Sequence, residues 1–255
     1  MQTYLLTISY HGQAYAGWQR QDGFPSIQQH LEDGLNGIFG ERIAVHGAGR
    51  TDAGVHALRQ AAHVRIPRQM EPTELVRAIN GNVPRDIAVT HAQAVSASFH
   101  ARFSASGKRY AYRFANSAIR PVHGADLFHW VRFPMAIEAM REALSYVVGE
   151  HDFAAFASNP GHARAGGTVR RITQARVIRR PHGMDMVVQG NGFLYNQVRA
   201  LAGTLQQVAT GRLPPVRMRE ILLSKDRSQA GMTAPACGLY LVRVLYPQSV
   251  LGMDE

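Results

Sequence analysis

Large apolar residues along this chain switch between a period of two and a period of about 3.6, in the same order in both halves. From Tyr4 to Tyr10 they alternate with smaller or polar residues, which predicts a half-buried strand. Ser26 and Gln29 have the spacing of a capping box and precede a helical apolar pattern. Two short strands, a helix ended by Gly81 and a further strand follow, at Ile43–His46, Ala61–Ile66, Thr73–Asn80 and Ile87–His91.

The second half repeats this order. Tyr110, Tyr112 and Phe114 alternate on a predicted strand. The next predicted elements are a helix, two strands of a hairpin joined by a Pro-His-Gly turn, a helix that starts near Leu194, and a closing strand. The first of these helices covers Met135–Val148, the hairpin strands cover Val169–Arg179 and Met184–Gln189, and the closing strand covers Leu239–Tyr246.

Each half therefore has the order β-α-β-β-α-β, which is that of a ferredoxin-like unit. We predict an α+β fold in which two ferredoxin-like halves join into a largely antiparallel sheet, with helices on one face and a central cleft. We assign the N-terminal half to residues 1–103 and the C-terminal half to residues 104–255. A chain of 255 residues is long for one core and suits two.

The charge of the chain is concentrated in one segment. Between Phe153 and Arg219 there are ten Arg, no Lys and a single acid, Asp185. The rest of the chain carries 18 basic and 17 acidic side chains, which nearly balance. A field of this kind attracts a polyanion, and the planar fork of Arg donates two hydrogen bonds to phosphate. The segregation favours a nucleic-acid partner over the alternative of a solvated basic face.

Composition excludes several classes of protein. Apolar residues make up 45% and charged residues 18%, which is typical of a globular chain and not of a disordered one. No apolar run approaches the roughly 18 residues of a membrane span, and polar residues interrupt the first ten positions, so neither a membrane span nor a signal peptide is expected. Cys237 is the only cysteine, which excludes an intrachain disulfide and thiolate zinc sites and favours a cytoplasmic location.

The glycine-rich segment Gly47–Ala57 is the most unusual in the chain. It lacks the Lys-Ser/Thr of a phosphate-binding P-loop, and Asp52 occupies the place of the third Gly of a dinucleotide fingerprint. What remains is a turn with a flexible backbone that holds Arg50 and Asp52 two residues apart. From the residues alone, the favoured explanation of Asp52 is an Asx-turn in which it caps its own backbone, and that of Arg50 is a surface position.

Motifs for metals and for other nucleophiles are not found. The twelve His residues include no His-Glu-x-x-His and no paired ligand spacing on a predicted helix, so no metal site is expected. The sequence has no Gly-x-Ser-x-Gly elbow, and Cys237 lies among small residues, as a buried structural thiol does.

The Gly47–Ala57 segment resembles the signature of the TruA family of tRNA pseudouridine synthases, and Asp52 matches the catalytic aspartate of that family. Two departures are visible: His11 stands where Asp is common, and Asn196-Gln197 replace a frequent His-Met. Four more segments resemble the family in order and spacing, namely Tyr10–Gln21, Phe99–Tyr112, Gly192–Arg199 and Ala234–Leu241.

The resemblance implies an isomerase that acts on uridine at positions 38–40 of the tRNA anticodon stem-loop. The N1–C1′ bond breaks, the uracil turns, and C5 bonds to C1′, so no cofactor is expected. The target base has to leave its stack before its sugar is accessible. The family works as a homodimer, so tRNA and a second copy of this chain are the expected partners.

The resemblance also assigns roles to single residues. Asp52 would be the nucleophile, or the base that removes the C2′ proton, and Arg199 would be the cation that keeps it ionised. Tyr110 would stack on the uracil and relay a proton, Arg50 would help displace the base, and Leu241 would close the pocket. Without the family, a phosphate contact explains Arg199 and core packing explains Tyr110 and Leu241.

Phosphate contacts are expected from the Arg-rich half. We predict that only some of its arginines contact RNA, with candidates at Arg164, Arg170, Arg171, Arg179 and Arg180. Two rival functions remain: a catalytically silent RNA-binding protein or tRNA chaperone, and a related synthase that acts on another RNA, such as ribosomal RNA.

Overall fold

The computed structural model describes residues 1–158 and 167–251. The chain forms two compact units, the first made of Met1–Lys108 with Leu241–Glu255 and the second of Arg109–Tyr240. The division at residues 103 and 104 stays a prediction.

The first unit follows the predicted order of elements. Its sheet has β1 between β3 and β4, antiparallel to both, and β2 is antiparallel to β3. Its elements are β1 (Gln2–Tyr10), α1 (Ile27–Phe39), β2 (Val45–Gly47), β3 (His56–Ile66), α2 (Pro72–Asn80) and β4 (Ile87–Val95).

Local signals in the sequence account for α1. The Ser26 hydroxyl accepts a hydrogen bond from the Gln29 amide at 3.3 Å, which confirms the predicted N-cap. One apolar face of the helix, which includes Leu31 and Leu35, is fully buried. Gly40 ends the helix in the left-handed conformation, with φ of 71°.

The second unit has more elements than the sequence predicted. Its strand order is β5-β9-β8-β7, with β6 parallel to β5, and both β7 and β9 antiparallel to β8. The boundary between the units falls inside β5 and inside β10. The elements are β5 (Gly107–Asn116), β6 (His129–Val131), α3 (Ile137–Ser145), β7 (Gly149–Asp152), β8 (Val169–Arg180), β9 (Gly183–Gly190), α4 (Gln197–Ala209), α5 (Arg217–Ser224) and β10 (Leu239–Leu245).

Three elements of this unit were not predicted: β6, β7 and α5. The two strands are three and four residues long, too short to show a period of two, and they form only by pairing with β5 and β8. Helix α5 has only about two turns, with its buried positions at Met218, Ile221 and Leu222 and an exposed Leu223. The predicted helix Met135–Val148 is also shorter, since α3 covers only Ile137–Ser145.

The chain is thus a mixed α+β protein with mostly antiparallel strand pairing. The ferredoxin-like character of the halves, their joining into one sheet and the central cleft stay predictions. Within residues 1–158 and 167–251, no helix has the length and apolar character needed to cross a membrane.

Three histidine rings lie together in the first unit. His63 stacks on His46 with ring centroids 4.8 Å apart, and its centroid is 4.7 Å from that of His100. The side chain is buried, and its Nδ1 accepts a hydrogen bond from the Ala101 amide at 3.2 Å. Burial and then the neighbouring His46, His100 and Arg65 lower the pKa of His63 to about 4. His63 is therefore neutral in the folded protein near pH 7.

This shift predicts a loss of stability on acidification. Below the unfolded-state pKa of about 6.5, the unfolded chain binds a proton that folded His63 takes up only near pH 4. The free energy of unfolding should then fall by up to about 1.4 kcal/mol per pH unit in that window. His63→Gln offers an amide oxygen to the Ala101 amide but does not titrate. We expect urea unfolding at a series of pH values to show a smaller acid loss in the variant, and equal losses would contradict the assignment.

Candidate active site

Residues 48–55 join β2 to β3 and carry the glycine-rich segment. The Tyr10 hydroxyl hydrogen-bonds to Thr51 Oγ1 at 2.8 Å, and the Trp18 amide donates to the Thr51 carbonyl at 3.0 Å. On the other side of Asp52, the Val55 amide donates to the Asp52 carbonyl at 3.2 Å. The backbone is therefore fixed on both sides of Asp52, whose side chain is half-buried.

The opening loop after β1 packs directly on this segment. A Cβ on Gly12 would lie 2.0 Å from the Val55 carbonyl oxygen, and a Cβ on Gly17 would lie 2.5 Å from the Thr51 carbonyl oxygen. Gly17 also has a φ of 104°, which side chains rarely allow. These two glycines let the backbones approach closely, and so the loop of Tyr10–Gln21 supports the turn that carries Asp52.

Gly17→Ala should therefore distort the Asp52 turn. The methyl group would meet Thr51, in addition to a backbone cost of at least about 1 kcal/mol for a left-handed residue with a Cβ. Gly23→Ala is the matched control, because Gly23 lies just after the opening loop at φ of 79° but has nothing within 4 Å of its Cβ. We expect both variants to lose stability in thermal unfolding and only Gly17→Ala to lose activity by an order of magnitude or more. Equal activity in the two variants would contradict this role of the contact.

Arg50 is exposed, two residues before Asp52 in the chain, and the Gln19 side chain sets its orientation. Arg50 Nε donates to Gln19 Oε1 at 3.1 Å, and the Gln19 amide in turn donates to Gln28 Oε1 at 2.6 Å. Gln28 lies on α1, so a chain of two amides connects Arg50 to a helix. Gln19 is a positioning residue that the sequence prediction did not single out, although it lies within a segment that resembles the family.

Arg199 lies in the first turn of α4 in the second unit. Its Nε donates to the Ala234 carbonyl at 2.7 Å, and its Nη1 donates to Asn196 Oδ1 at 3.0 Å. Both acceptors are neutral oxygens, and they orient the guanidinium group. Arg199 is half-buried and anchored, whereas a simple phosphate contact requires only an exposed arginine.

Asn196 is a second positioning residue that the sequence prediction missed. It precedes α4 with a φ of 60°, in the left-handed region that Asn tolerates better than most residues. Its amide nitrogen donates to Ser158 Oγ at 3.0 Å while its oxygen accepts from Arg199. The only signal in the sequence was the departure from the frequent His-Met at this point.

Tyr110 and Leu241 are both buried. Tyr110 lies on β5, 8% exposed, with its ring edge-to-face to Phe193 at a centroid distance of 5.2 Å. Leu241 lies on β10 and is fully buried. Burial of this kind agrees with the core-packing alternative for both residues, and their roles in the reaction stay predictions.

The candidate phosphate-binding arginines are not equivalent. Arg171 and Arg179 are exposed on β8, and Arg170 donates from Nη1 to the Val169 carbonyl at 2.6 Å. Arg180 Nη2 forms an ion pair with Asp185 Oδ2 at 2.8 Å, which partly compensates its charge. Arg164 lies outside the described residues.

No cluster of three or more His, Cys, Asp or Glu that could hold a metal ion is found in the described part of the chain.

Comparison with known proteins identifies the family. The family profile described as tRNA pseudouridine synthase matches residues 6–104 and 143–247. The chain is 42% identical to tRNA pseudouridine synthase A of Rhodospirillum rubrum, over 97% of this chain and 88% of that protein. Identity to the Pseudomonas aeruginosa protein of the same name is 41%, over 95% and 85% of the two chains. The tRNA pseudouridine synthase A of Thermoanaerobacter sp. is 37% identical, over 96% of this chain and 100% of that protein.

The matched family and the relatives define the class of protein, which is an enzyme that modifies RNA. The chain belongs to the tRNA pseudouridine synthase family, and it is an isomerase. A chain in the crystal structure of a Cbf5-Nop10-Gar1 complex is also similar, at 12% identity and a TM-score of 0.32 over 93% of this chain and 57% of that one, which is too distant to add to this.

Proposed function

We propose that this protein converts uridine to pseudouridine in tRNA, at positions 38–40 of the anticodon stem-loop. The observation that carries the proposal is the turn with Asp52, which is fixed on both sides by the opening loop in a chain 42% identical to a tRNA pseudouridine synthase A. A half-buried carboxylate on a fixed backbone is suited to act at the sugar of a nucleoside.

In the proposed mechanism the uridine leaves its stack before any bond is broken. Asp52 then attacks C1′, or removes the proton at C2′, and the N1–C1′ bond breaks with its electron pair on N1. The free uracil turns, and C5 bonds to C1′ as the Asp52 carboxylate leaves C1′ or, in the second route, as the proton held by Asp52 returns to C2′. The C5 proton is then lost while N1 gains one. Atoms and electrons balance without a further reactant.

The other residues support these steps. Arg50 occupies the space that the displaced base leaves, Tyr110 stacks on the uracil and relays the C5 proton, and Leu241 contributes an apolar wall. Arg199 supplies the positive charge that favours the carboxylate of Asp52 over its neutral acid, because a nearby cation lowers the pKa of a carboxyl group by about 1–3 units. The exposed arginines of β8 contact RNA phosphates.

Purified protein and transcribed tRNA test the proposal. Pseudouridine has the mass of uridine, so it is read as a carbodiimide adduct that stops primer extension. We expect stops at positions 38–40 and nowhere else in the transcript. Stops in a ribosomal RNA fragment instead would favour the rival synthase, and tight tRNA binding without any stop would favour a silent RNA-binding protein.

Homodimerisation and a cytoplasmic location belong to the same proposal. The first depends on the family alone, and the second is also favoured by the single cysteine. Analytical ultracentrifugation at micromolar concentration should give a mass near twice 28.1 kDa. A monomer would contradict the dimer and leave the reaction untouched.

A further inference from the structure

Lys108 lies against the backbone of the glycine-rich loop. It is the last residue of the first unit before the boundary in β5. A Cβ built on Gly49 would lie 3.0 Å from Lys108 Cε and 3.2 Å from Lys108 Nζ, so the end of the side chain lies over Gly49. Gly49 itself is held in place, because the Gln60 amide donates to its carbonyl oxygen at 2.9 Å. The ammonium group thus lies next to Gly49, which is three residues before Asp52 in the same loop.

The surroundings of Lys108 do not favour a positive charge. Burial, and then the charge of Arg102, lower the pKa of Lys108. In the described residues, 1–158 and 167–251, the ammonium has neither a hydrogen-bond acceptor nor an acidic partner. A half-buried cation near a second cation is disfavoured, and a bound anion would compensate its charge.

Arg102 is presented by a small, well-defined turn. The amides of Arg102 and Phe103 both donate to His100 Nδ1, at 3.1 Å and 3.4 Å. The guanidinium lies over the Phe103 ring at 5.7 Å from its centroid, and that ring is itself 76% exposed. Arg102 is therefore an exposed, oriented arginine, and it is near enough to Lys108 for its charge to lower the pKa of that lysine.

We propose that Lys108 and Arg102 bind a phosphodiester group of the RNA strand next to the reacting uridine, with Lys108 as the positioning residue at the Asp52 loop. This inference rests on the proposed function, since it takes the anion to be an RNA phosphate. Lys108 supplies a point charge at the loop, and Arg102 supplies a fork of donors from the surface. The pair would fix the position of the strand relative to Asp52.

The variant Lys108→Met distinguishes phosphate binding from a purely structural role of Lys108. Met keeps the unbranched apolar stem and removes only the ammonium, so the thermal midpoint of the free protein should stay the same or rise. The affinity for tRNA should fall several-fold at about 50 mM salt, and the slope of log K against log salt should shrink by roughly 0.7–0.9, as expected for one lost phosphate contact. Lys108→Arg should restore most of the affinity for tRNA and most of the salt slope.

Arg42→Met is the matched control, because Arg42 is an exposed arginine outside the loop and its loss removes one charge in the same way. We expect it to leave the salt slope closer to that of the unchanged protein than Lys108→Met does. Gly49→Ala gives a second variant, since its methyl group would displace the ammonium by steric contact, and it should reproduce the loss of affinity.

A lower thermal midpoint in Lys108→Met with an unchanged salt slope would overturn the inference and make Lys108 structural. Equal salt slopes in Lys108→Met and Arg42→Met would also overturn it. All of these readouts are binding or stability, so they do not depend on turnover. If the protein binds tRNA through Lys108 but forms no pseudouridine, the proposed function is contradicted and this inference is supported. If the protein forms pseudouridine normally but Lys108→Met leaves the salt slope unchanged, the proposed function is supported and this inference is contradicted.

Discussion

Asp52→Asn is expected to abolish pseudouridine formation while tRNA binding stays within about two-fold of that of the unchanged protein. Asn has nearly the shape of Asp, and the turn is held by backbone hydrogen bonds to Thr51 and from Val55, which the substitution does not alter. What is lost is the negative oxygen that attacks C1′ or removes a proton. Removal of a positioned acid or base typically costs about 10²–10⁴-fold, and removal of a nucleophile costs at least as much.

The matched control is Asp22→Asn, which makes the same change of charge at an exposed residue of the neighbouring loop. Product is measured by carbodiimide adducts and primer extension, and binding by filter retention at fixed salt. Turnover in Asp52→Asn at the rate of the control would remove Asp52 from the mechanism. Loss of binding along with turnover would indicate that the loop had not kept its conformation.

Arg199→Met should lower the rate far more than the affinity, by roughly ten-fold to a thousand-fold at pH values below the pKa of Asp52 in the unchanged protein and by less at neutral pH. If Arg199 keeps Asp52 ionised, its loss raises the pKa of that carboxyl group by about 1–3 units, and each unit reduces the ionised fraction up to ten-fold below the new pKa. The sign follows directly: activity should be lost most at low pH and partly regained as the pH rises. A merely structural arginine would give no such shift of the pH profile.

The comparison variant is Arg219→Met, which removes an exposed arginine of α5 within the same basic segment. It should reduce affinity slightly and leave the pH profile of the rate unchanged. If Arg199→Met instead weakens tRNA binding more than it slows turnover, with an unshifted profile, Arg199 is a phosphate contact and the alternative from the sequence holds.

Elements with a strong local signal could be predicted from the sequence. The N-cap at Ser26, the apolar face of α1 and the alternation on β5 depend only on residues close to each other in the chain, and all three are present. The hairpin of β8 and β9 was likewise indicated by the Pro-His-Gly turn between two apolar runs. In each case the local preference and the final structure agree.

The rest depends on contacts between distant residues. Strands β6 and β7 exist only through pairing, and α4 starts at Gln197 because Asn196 leaves the helical region. The turn with Asp52 is fixed by Tyr10, Trp18 and the close approach of Gly17, none of which can be inferred from its own residues. Without the family resemblance, the sequence favoured an Asx-turn for Asp52 over a catalytic role.

The most direct test of the account uses tRNA that carries tritium at C5 of every uridine. Formation of the C5–C1′ bond releases that tritium to water, whatever the route by which N1–C1′ breaks. We expect release that stops at the number of uridines at positions 38–40 of the transcript and is absent with Asp52→Asn. No release from any tRNA by the unchanged protein, under conditions in which it binds the tRNA, would contradict it.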